Sequence, residues 1–330
     1  MKKILINLLI ISCSILFCFA AGELMIRLFY DSLSGYNLEM WRYAADLKEP
    51  YDDPALPFHH YPGKGGHYYG VDIKTNSHGF RDREFSVSKP ENVKRVMFLG
   101  DSFTLGWGVP FDSIYSKKLE LGLNKSATEY EVINLGIGNY NNSMEVELFK
   151  RKGLQFNPDY VILMFYINDA ESTPVTTTSV KYSLIKNSYL VAFFFDRYVK
   201  LRASFDKQFD WKKYYGDLYD KDSPSLKKNR AALKELVEIC RKKEIGLLFV
   251  SIPELRELQE YPLGIATEFI QKIAEEENTP FLDLLPVLRE YEPSSLWVTP
   301  EDPHANAKAN GIIADAILQK FERIFRFSRQ

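Results

Sequence analysis

The sequence predicts an α/β fold in which helices cover both faces of a parallel sheet. The first observation is a series of short apolar segments that resemble buried strands, namely "KRVMFLG", "EVINLG", "PDYVILMFY" and "IGLLFVSI". The second is that segments with helical spacing of apolar residues separate them, such as "SMEVELFKRKG" and "SLKKNRAALKELVEICRKKE". Apolar strands that alternate with amphipathic helices form parallel sheets, whose ligands bind at the carboxyl ends of the strands.

The remaining elements complete this alternation. "SIYSKKLELGL" and "ATEFIQKIAEEE" have helical spacing, "PFLDLL" predicts a short strand, and a final helix is expected from about Ala305 to Ile324. The segment before Pro90 is rich in Tyr, Pro, Gly and His, which predicts short strands and turns. We therefore expect a helix over 1–22, a stem with strands and turns over 23–90, and the α/β domain over 91–330.

An aromatic-rich insertion at about 171–225 interrupts the α/β domain. Its apolar face is compatible with a lid over the site, with contact to a membrane surface, or with packing on its own domain. Packing on the domain is the usual role of an apolar helical stripe.

Composition limits the classes of function. The chain has 330 residues, which is enough for a large core, and its formal net charge of -2 argues against a nucleic-acid partner. Cys13 and Cys18 lie in an apolar segment, so Cys240 is the only other thiol, which rules out an intramolecular disulfide and a cysteine metal site outside that segment. His59, His60 and His67 lack the spacing of zinc ligands, and we expect neither a metal nor a cofactor.

The amino terminus predicts a membrane anchor. Lys2 and Lys3 precede the uncharged run Ile4–Ala21, which as a helix would reach about 27 Å, close to the thickness of a hydrocarbon core. A cleaved signal peptide and a lipoprotein signal at Cys13 are alternatives, but the run is longer than a usual signal core. Lysines on the short side favour an amino terminus in the cytoplasm and a large domain outside it, in the periplasm or at the cell surface.

Ser102 directly follows the first predicted strand, in "FLGDSFTLGWGV". A Walker loop needs a lysine that this stretch lacks, and the positions of Gly100, Gly106 and Gly108 do not match a dinucleotide fingerprint. The stretch is not the G-x-S-x-G elbow of α/β-hydrolases either. Ser102 is left as a nucleophile of another class of serine enzyme, or as part of a turn.

A serine nucleophile needs a base and a group that orients the base. Four of the five histidines lie in the turn-rich segment, whereas His304 lies in "TPEDPHANAKANG", at the start of the predicted last helix. Asp302 precedes it by two residues and Glu301 by three. Taken alone, a histidine beside acids at a helix start more often serves in capping.

Four segments in order resemble the SGNH/GDSL hydrolase family: "FLGDSFTLGWGV", "NLGIGNYNN", "FYINDA" and "EDPHANAKANG". The resemblance covers about residues 91–324, and "TNSHGFRDREF" is similar to the lead-in of membrane-anchored members. It implies a flavodoxin-like three-layer α/β/α fold and ester hydrolysis by Ser102, His304 and a carboxylate.

The resemblance also assigns the oxyanion hole. It implies that the Ser102 backbone N–H, the Asn168 side-chain amide and a backbone N–H in the second segment bind the oxyanion. Where the family has glycine for that last donor, this sequence has Asn139, with Gly138 as the rival. Two further departures are Tyr166 in place of the first glycine of Gly-x-Asn-Asp, and Glu301 in place of the usual aspartate, so we assign the carboxylate to Asp302 with Glu301 as the rival.

We therefore expect a serine esterase that cleaves an acyl ester, such as an acetyl ester, on a cell-envelope saccharide. A lysophospholipase or other lipid esterase and an O-acyltransferase with the same triad are alternatives. The alternative that is not an enzyme is an inactive scaffolding module in the cell envelope.

Overall fold

A computed structural model of the chain describes residues 2–30, 35–172, 187–205, 210–220 and 223–326. Parts of the expected insertion (173–186, 206–209 and 221–222) lie outside the described residues. The chain divides into two compact units. The N-terminal unit comprises Met1–Asp46, Tyr68–Gly70 and Thr176–Phe209, and the sheet unit comprises Leu47–His67, Val71–Val175 and Asp210–Gln330.

The described strands and helices follow the order expected from the sequence. The strands are β1 (Lys48–Pro50), β2 (Phe58–His60), β3 (Gly65–Tyr68), β4 (Val71–Lys74), β5 (Val93–Leu99), β6 (Glu129–Asn134), β7 (Tyr160–Phe165), β8 (Gly246–Ser251), β9 (Phe281–Asp283), β10 (Trp297–Thr299) and β11 (Asp302–Ala305). The helices are α1 (Lys2–Leu28), α2 (Tyr36–Leu47), α3 (Ser102–Leu105), α4 (Tyr115–Leu123), α5 (Asn142–Arg151), α6 (Tyr189–Phe205), α7 (Trp211–Leu218), α8 (Pro224–Lys242), α9 (Gly264–Glu276), α10 (Leu285–Leu288) and α11 (Ala307–Phe321).

The centre of the sheet unit is a parallel five-stranded sheet of order β6-β5-β7-β8-β9. This is the flavodoxin-like order, in which the chain reverses its direction across the sheet after the second strand. Right-handed crossovers then place α4 on one face and α5, α8 and α9 on the other. Helix α11 packs against α4, and α8 packs against α5. The expected three-layer α/β/α fold is therefore confirmed.

The strands are apolar because they lie between the two helical layers. Every residue of β7 is buried, and so are the last five residues of β5. Burial on both faces explains why these segments read as continuous apolar runs and not as an alternation of apolar and polar residues. The connections from β5 and from β7 run to opposite sides of the sheet. A crevice therefore forms between the carboxyl ends of β5 and β7, where ligands bind in such folds.

The last helix differs in detail from the prediction. It begins at Ala307 and not at Ala305, because Asp302–Ala305 forms β11 and pairs antiparallel with β10. Asn306 caps the helix by accepting hydrogen bonds from the backbone N–H groups of Lys308 and Ala309, both at 3.0 Å. His304 therefore lies on a strand before the helix, held by β10 and not by the helix terminus.

The N-terminal unit contains the apolar helix α1. This helix has a mean hydropathy of 2.6 over its most apolar 18-residue window, and by length and composition it could cross a membrane or act as a signal peptide. Near its end, Glu23 caps α6 by accepting hydrogen bonds from the Ser188 hydroxyl at 2.8 Å and the Leu190 N–H at 2.9 Å. The Arg27 guanidinium lies 2.7 Å from the same carboxylate.

Candidate active site

Ser102 is the first residue of the short helix α3, immediately beyond the carboxyl end of β5. Asp101 precedes it and caps the helix, because its Oδ1 accepts a hydrogen bond from the Phe103 N–H at 2.9 Å. Gly100 is required before this turn, since a Cβ at this position would lie 1.9 Å from Thr104 Oγ1. The turn holds Ser102 95% buried, at the floor of the crevice.

The structure brings Ser102, His304 and Asp302 together in a chain of hydrogen bonds. Ser102 Oγ lies 2.9 Å from His304 Nε2. His304 Nδ1 lies 2.5 Å from Asp302 Oδ1, which also accepts a hydrogen bond from the His304 backbone N–H at 3.1 Å. A carboxylate on Nδ1 favours the tautomer in which Nε2 is free to take the serine proton.

The two acids before the histidine have different surroundings. The Asp302 side chain is 1% exposed, whereas Glu301 lies in an exposed turn between β10 and β11. Asp302 directs its carboxylate inward because β11 pairs with β10 at this point, with Asp302 opposite Thr299. Of the two acids, it is Asp302 that contacts the imidazole.

Trp107 contacts Asp302, and the sequence did not predict this contact. Its indole Nε1–H donates a hydrogen bond to Asp302 Oδ2 at 3.1 Å, so both oxygens of the carboxylate have partners. The side chain is 1% exposed. The available signal was a tryptophan between two glycines, five residues after the serine, because buried indoles usually find a hydrogen-bond acceptor.

Asp101 forms a second set of contacts around the serine. Its Oδ2 lies 3.3 Å from Ser102 Oγ and accepts a hydrogen bond from Asn168 Nδ2 at 3.2 Å. Burial raises the pKa of Asp101, while the Phe103 N–H and the nearby His304 oppose this shift. The serine hydroxyl has one proton, and its shorter contact is the one to His304.

Asn168 follows the carboxyl end of β7, and Asp169 stabilises its loop. The Tyr166 N–H donates a hydrogen bond to Asp169 Oδ2 at 2.7 Å. Burial raises the pKa of Asp169, and so does the nearby carboxyl group of Glu145. Burial also raises the pKa of Glu145, to about 8, so this acid is largely protonated at neutral pH.

The second loop of the site contains Asn139 in a tight turn. The Tyr140 N–H bonds to the Ile137 carbonyl at 3.2 Å, and Asn139 has a φ of 66°. Positive φ at the third position of such a turn is typical of type II and favours Gly or Asn. Asn139 can therefore adopt the conformation that glycine would have here. Among the described residues, no group accepts a hydrogen bond from the N–H of Asn139 or of Ser102.

Tyr166, which replaces the first glycine of Gly-x-Asn-Asp, forms part of an aromatic wall. Its ring centre is 4.3 Å from that of Phe103, whose ring centre is 4.8 Å from that of His304. Phe103 and Tyr166 are 4% and 6% exposed. Their rings therefore fill the space on one side of the imidazole.

Arg81 stabilises the loop after α3. Arg81 lies beside acids in "GFRDRE", a setting in which an arginine can bind an anion or form an ion pair with a neighbouring acid. The structure instead shows a guanidinium that is 1% exposed and bound to backbone carbonyl oxygens. The acceptors are the carbonyl oxygens of Leu105 at 3.0 Å, Gly106 at 2.6 Å and Val109 at 2.8 Å, and that of Asp72 on β4 at 2.9 Å.

Two of the N-terminal histidines each contact a separate acid. His59 Nε2 lies 3.1 Å from Glu49, and His67 Nδ1 lies 2.8 Å from Asp72. Burial lowers the pKa of His60 to about 3. Within the described part of the chain, no group of three or more His, Cys, Asp or Glu side chains could hold a metal ion.

Comparison of the sequence with protein families gives one match. The model of the GDSL-like Lipase/Acylhydrolase family matches residues 98–312, which include Ser102, Asn139, Asn168 and His304. A comparison with curated protein sequences found no significant match.

Solved structures with a similar fold include esterases. A two-domain esterase (CEX) active on acetylated mannans has a TM-score of 0.44 and 15% identity over 70% of this chain, which spans about half (49%) of that protein. TesA has a TM-score of 0.48 and 11% identity, over 70% of this chain and 99% of its own. The acetylxylan esterase Axe2 from Geobacillus stearothermophilus has a TM-score of 0.46 and 17% identity, over 69% of this chain and 93% of its own.

Proposed function

Since the chain belongs to the GDSL-like lipase/acylhydrolase family and is an ester-bond hydrolase, we propose that it removes a short acyl group, such as acetyl, from a saccharide of the cell envelope. Ser102 would be the nucleophile. The observation that carries the proposal is the chain of contacts from Ser102 Oγ through His304 to Asp302.

The geometry supports a two-step acyl transfer. Ser102 Oγ attacks the ester carbonyl while His304 Nε2 takes the hydroxyl proton, and Asp302 stabilises the resulting imidazolium. The protonated His304 then gives its proton to the leaving oxygen of the ester, so the alcohol departs and an acyl-serine remains. Water, deprotonated by His304, then attacks the acyl-serine. The bond from Ser102 Oγ to the acyl group breaks, the His304 proton returns to Oγ, and the carboxylic acid is released.

The oxyanion would be bound by three donors. These are the N–H of Ser102, the N–H of Asn139 and the side-chain amide of Asn168, whose other N–H is held by Asp101. We prefer the Asn139 amide to that of Gly138, because the left-handed φ of Asn139 gives it the turn conformation that the family forms with glycine. Removal of one such donor typically costs about 10²–10³ in kcat.

The aromatic wall of Phe103 and Tyr166 supports a short acyl group. These two buried rings occupy the space beside the imidazole, where a long acyl chain would need room. Hydrolysis of nitrophenyl acetate should therefore exceed that of nitrophenyl octanoate. The reverse order would favour a lipid esterase.

We further propose that residues 1–22 anchor the enzyme and that 23–90 form a stem, with the hydrolase domain of 91–330 outside the cytoplasm. The support is the exposed apolar helix α1, which has two lysines at its amino-terminal end. A position at the membrane surface would bring the site close to envelope saccharides.

A fluorophosphonate probe tests the nucleophile directly, because it forms a covalent bond with activated serines. We expect the folded wild-type chain to be labelled and Ser102→Ala to be unlabelled and inactive on nitrophenyl acetate. Ser116→Ala is a matched control, since Ser116 is also buried but lies on α4. Equal labelling of wild type and Ser102→Ala would contradict the proposal.

A further inference from the structure

Lys48 on β1 contacts the turn that contains Asn139, ninety-one residues further along the chain. Its ammonium group donates hydrogen bonds to the Gly138 carbonyl oxygen at 2.6 Å and to Asn139 Oδ1 at 2.8 Å. It also lies 4.2 Å from the centre of the Phe58 ring, on the neighbouring strand β2. The cation is thus held between β2 and the turn.

The contact to the Gly138 carbonyl oxygen acts on the peptide group that also contains the Asn139 N–H. The Gly138 carbonyl and the Asn139 N–H belong to the same planar trans peptide, in which the C=O and N–H bonds point in opposite directions. A cation on the oxygen therefore fixes the direction of the N–H on the other side. It also polarises the peptide, and hydrogen bonds polarised in this way are stronger.

The second contact stabilises the conformation of the turn. Asn139 has a φ of 66°, which is unfavourable for residues other than glycine even though Asn tolerates it better than most. A hydrogen bond from Lys48 to the Asn139 side chain favours this conformation over the extended alternatives.

We propose that Lys48 is a positioning residue of the oxyanion hole, which orients and polarises the Gly138–Asn139 peptide so that its N–H donates to the oxyanion. This inference rests on the proposed function, in which that N–H is a donor. Lys48 acts through the peptide and does not touch the substrate. Lys48 strengthens a hydrogen bond that forms only with the oxyanion of the transition state. Loss of Lys48 therefore lowers kcat more than it changes KM.

The charge of Lys48 gives the effect a pH dependence. Burial lowers the pKa of Lys48 to about 7. Around it, His60 on β2 stays uncharged because burial lowers its pKa to about 3, Glu49 pairs with His59, and burial also lowers the pKa of Lys152 at the end of α5. The cation is present below pH 7 and lost above it, so kcat should fall as the pH rises through about 7.

The test compares Lys48→Met and Lys48→Arg in the full-length chain, with nitrophenyl acetate as substrate. Lys48→Met keeps an apolar stem without the charge, whereas Arg keeps its charge at every pH of the assay. Lys64→Met is the matched control, because Lys64 is exposed in the same N-terminal part of the sheet unit. Fluorophosphonate labelling and thermal unfolding are measured for each variant.

We expect Lys48→Met to lower kcat about 10-fold or more with little change in KM, which is less than the loss of a whole oxyanion donor. Lys48→Arg should retain most of the activity and lose the decline above pH 7, and Lys64→Met should behave as wild type. If Lys48→Met does not fold, the pH profiles of wild type and Lys48→Arg remain decisive, and identical profiles would overturn the inference.

Two results separate this inference from the proposed function. A folded Lys48→Met with kcat within twofold of wild type, while Ser102 is labelled in both, would overturn only the role of Lys48. A folded wild-type chain that is not labelled at Ser102 would overturn the proposed function and, with it, this role.

Discussion

At the scale of single residues, the carboxylate that orients His304 is decided by burial and strand pairing. Asp302 is enclosed by the imidazole and by the Trp107 indole, while Glu301 faces solvent. A carboxylate shielded from water interacts more strongly with a developing imidazolium than an exposed one does. The two neighbouring acids should therefore differ greatly in their effect on turnover.

Asp302→Asn should lower kcat by about 10³–10⁴-fold, because an amide cannot stabilise the imidazolium and favours the wrong tautomer. Glu301→Gln is the matched control and should stay within about twofold of wild type. Steady-state hydrolysis of nitrophenyl acetate measures both variants. A loss confined to Glu301→Gln would contradict the assignment of Asp302.

The sequence predicted only some of the residues that form this site. The sequence resemblance assigned Ser102, Asn168 and His304, because each lies in a recognisable segment. Trp107 and Lys48 belong to no such pattern, and their contacts to Asp302 and Gly138 depend on how distant parts of the chain fold together. Single side chains that act across the fold have no local signature.

At the scale of elements, the loop between α3 and α4 depends on one buried cation. The loop turns at Gly106, whose φ is 79°, and its carbonyls point inward to the Arg81 guanidinium. Carbonyls buried without a donor are costly, so the guanidinium fork replaces the water that they would otherwise bind. The same loop contains Trp107, so the contact to Asp302 depends on its shape.

Arg81→Met should lower the free energy of unfolding by about 3 kcal/mol, because several charge-assisted hydrogen bonds are lost and buried carbonyls become unsatisfied. Arg81→Lys should restore little, because an ammonium group lacks the planar fork. Urea unfolding followed by tryptophan fluorescence measures the change.

Arg83→Met is the matched control, since Arg83 forms a partly exposed ion pair with Glu120 and should cost less than about 1 kcal/mol. Equal stabilities of Arg81→Lys and wild type would show that the fork geometry does not matter.

Most helices and strands of the sheet unit were predictable because each has a strong local pattern. The apolar runs of β5, β7 and β8 and the amphipathic spacing of α8 and α9 match the prediction within a few residues. β11 was not predicted as a strand, since "DPHA" has no strand propensity. It is extended because it pairs with β10, a contact between segments that the sequence pattern does not link.

At the scale of the whole molecule, the proposed anchor predicts that the sheet unit lies outside the cytoplasm, and thiol accessibility tests this proposal. A thiol-accessibility test cannot use Cys240, because this residue is 1% exposed and burial raises its pKa to about 12. Lys213 on α7 is a better position, with a side chain that is 70% exposed. Cys13 and Cys18 are replaced by serine in the background.

Lys213→Cys in the full-length chain should react with a membrane-impermeant maleimide in intact cells whose outer barrier is permeable to the reagent. This expectation follows from the proposed anchor, because lysines on the short side of an apolar helix favour an amino terminus in the cytoplasm. A cysteine inserted between Met1 and Lys2 is the matched control, because it keeps both lysines, and it should react only after lysis. Reaction of Lys213→Cys only after lysis would contradict export.

The sequence by itself determined the α/β class, the apolar amino-terminal segment and the four segments of the family, because these depend on local periodicity and on short motifs. Only the tertiary structure decided which acid contacts His304, which residue holds the second oxygen of that acid, and which cation binds the Gly138–Asn139 peptide. These contacts join residues up to about two hundred positions apart. Their geometry is set by sheet order, strand pairing and burial, which no local stretch of sequence encodes.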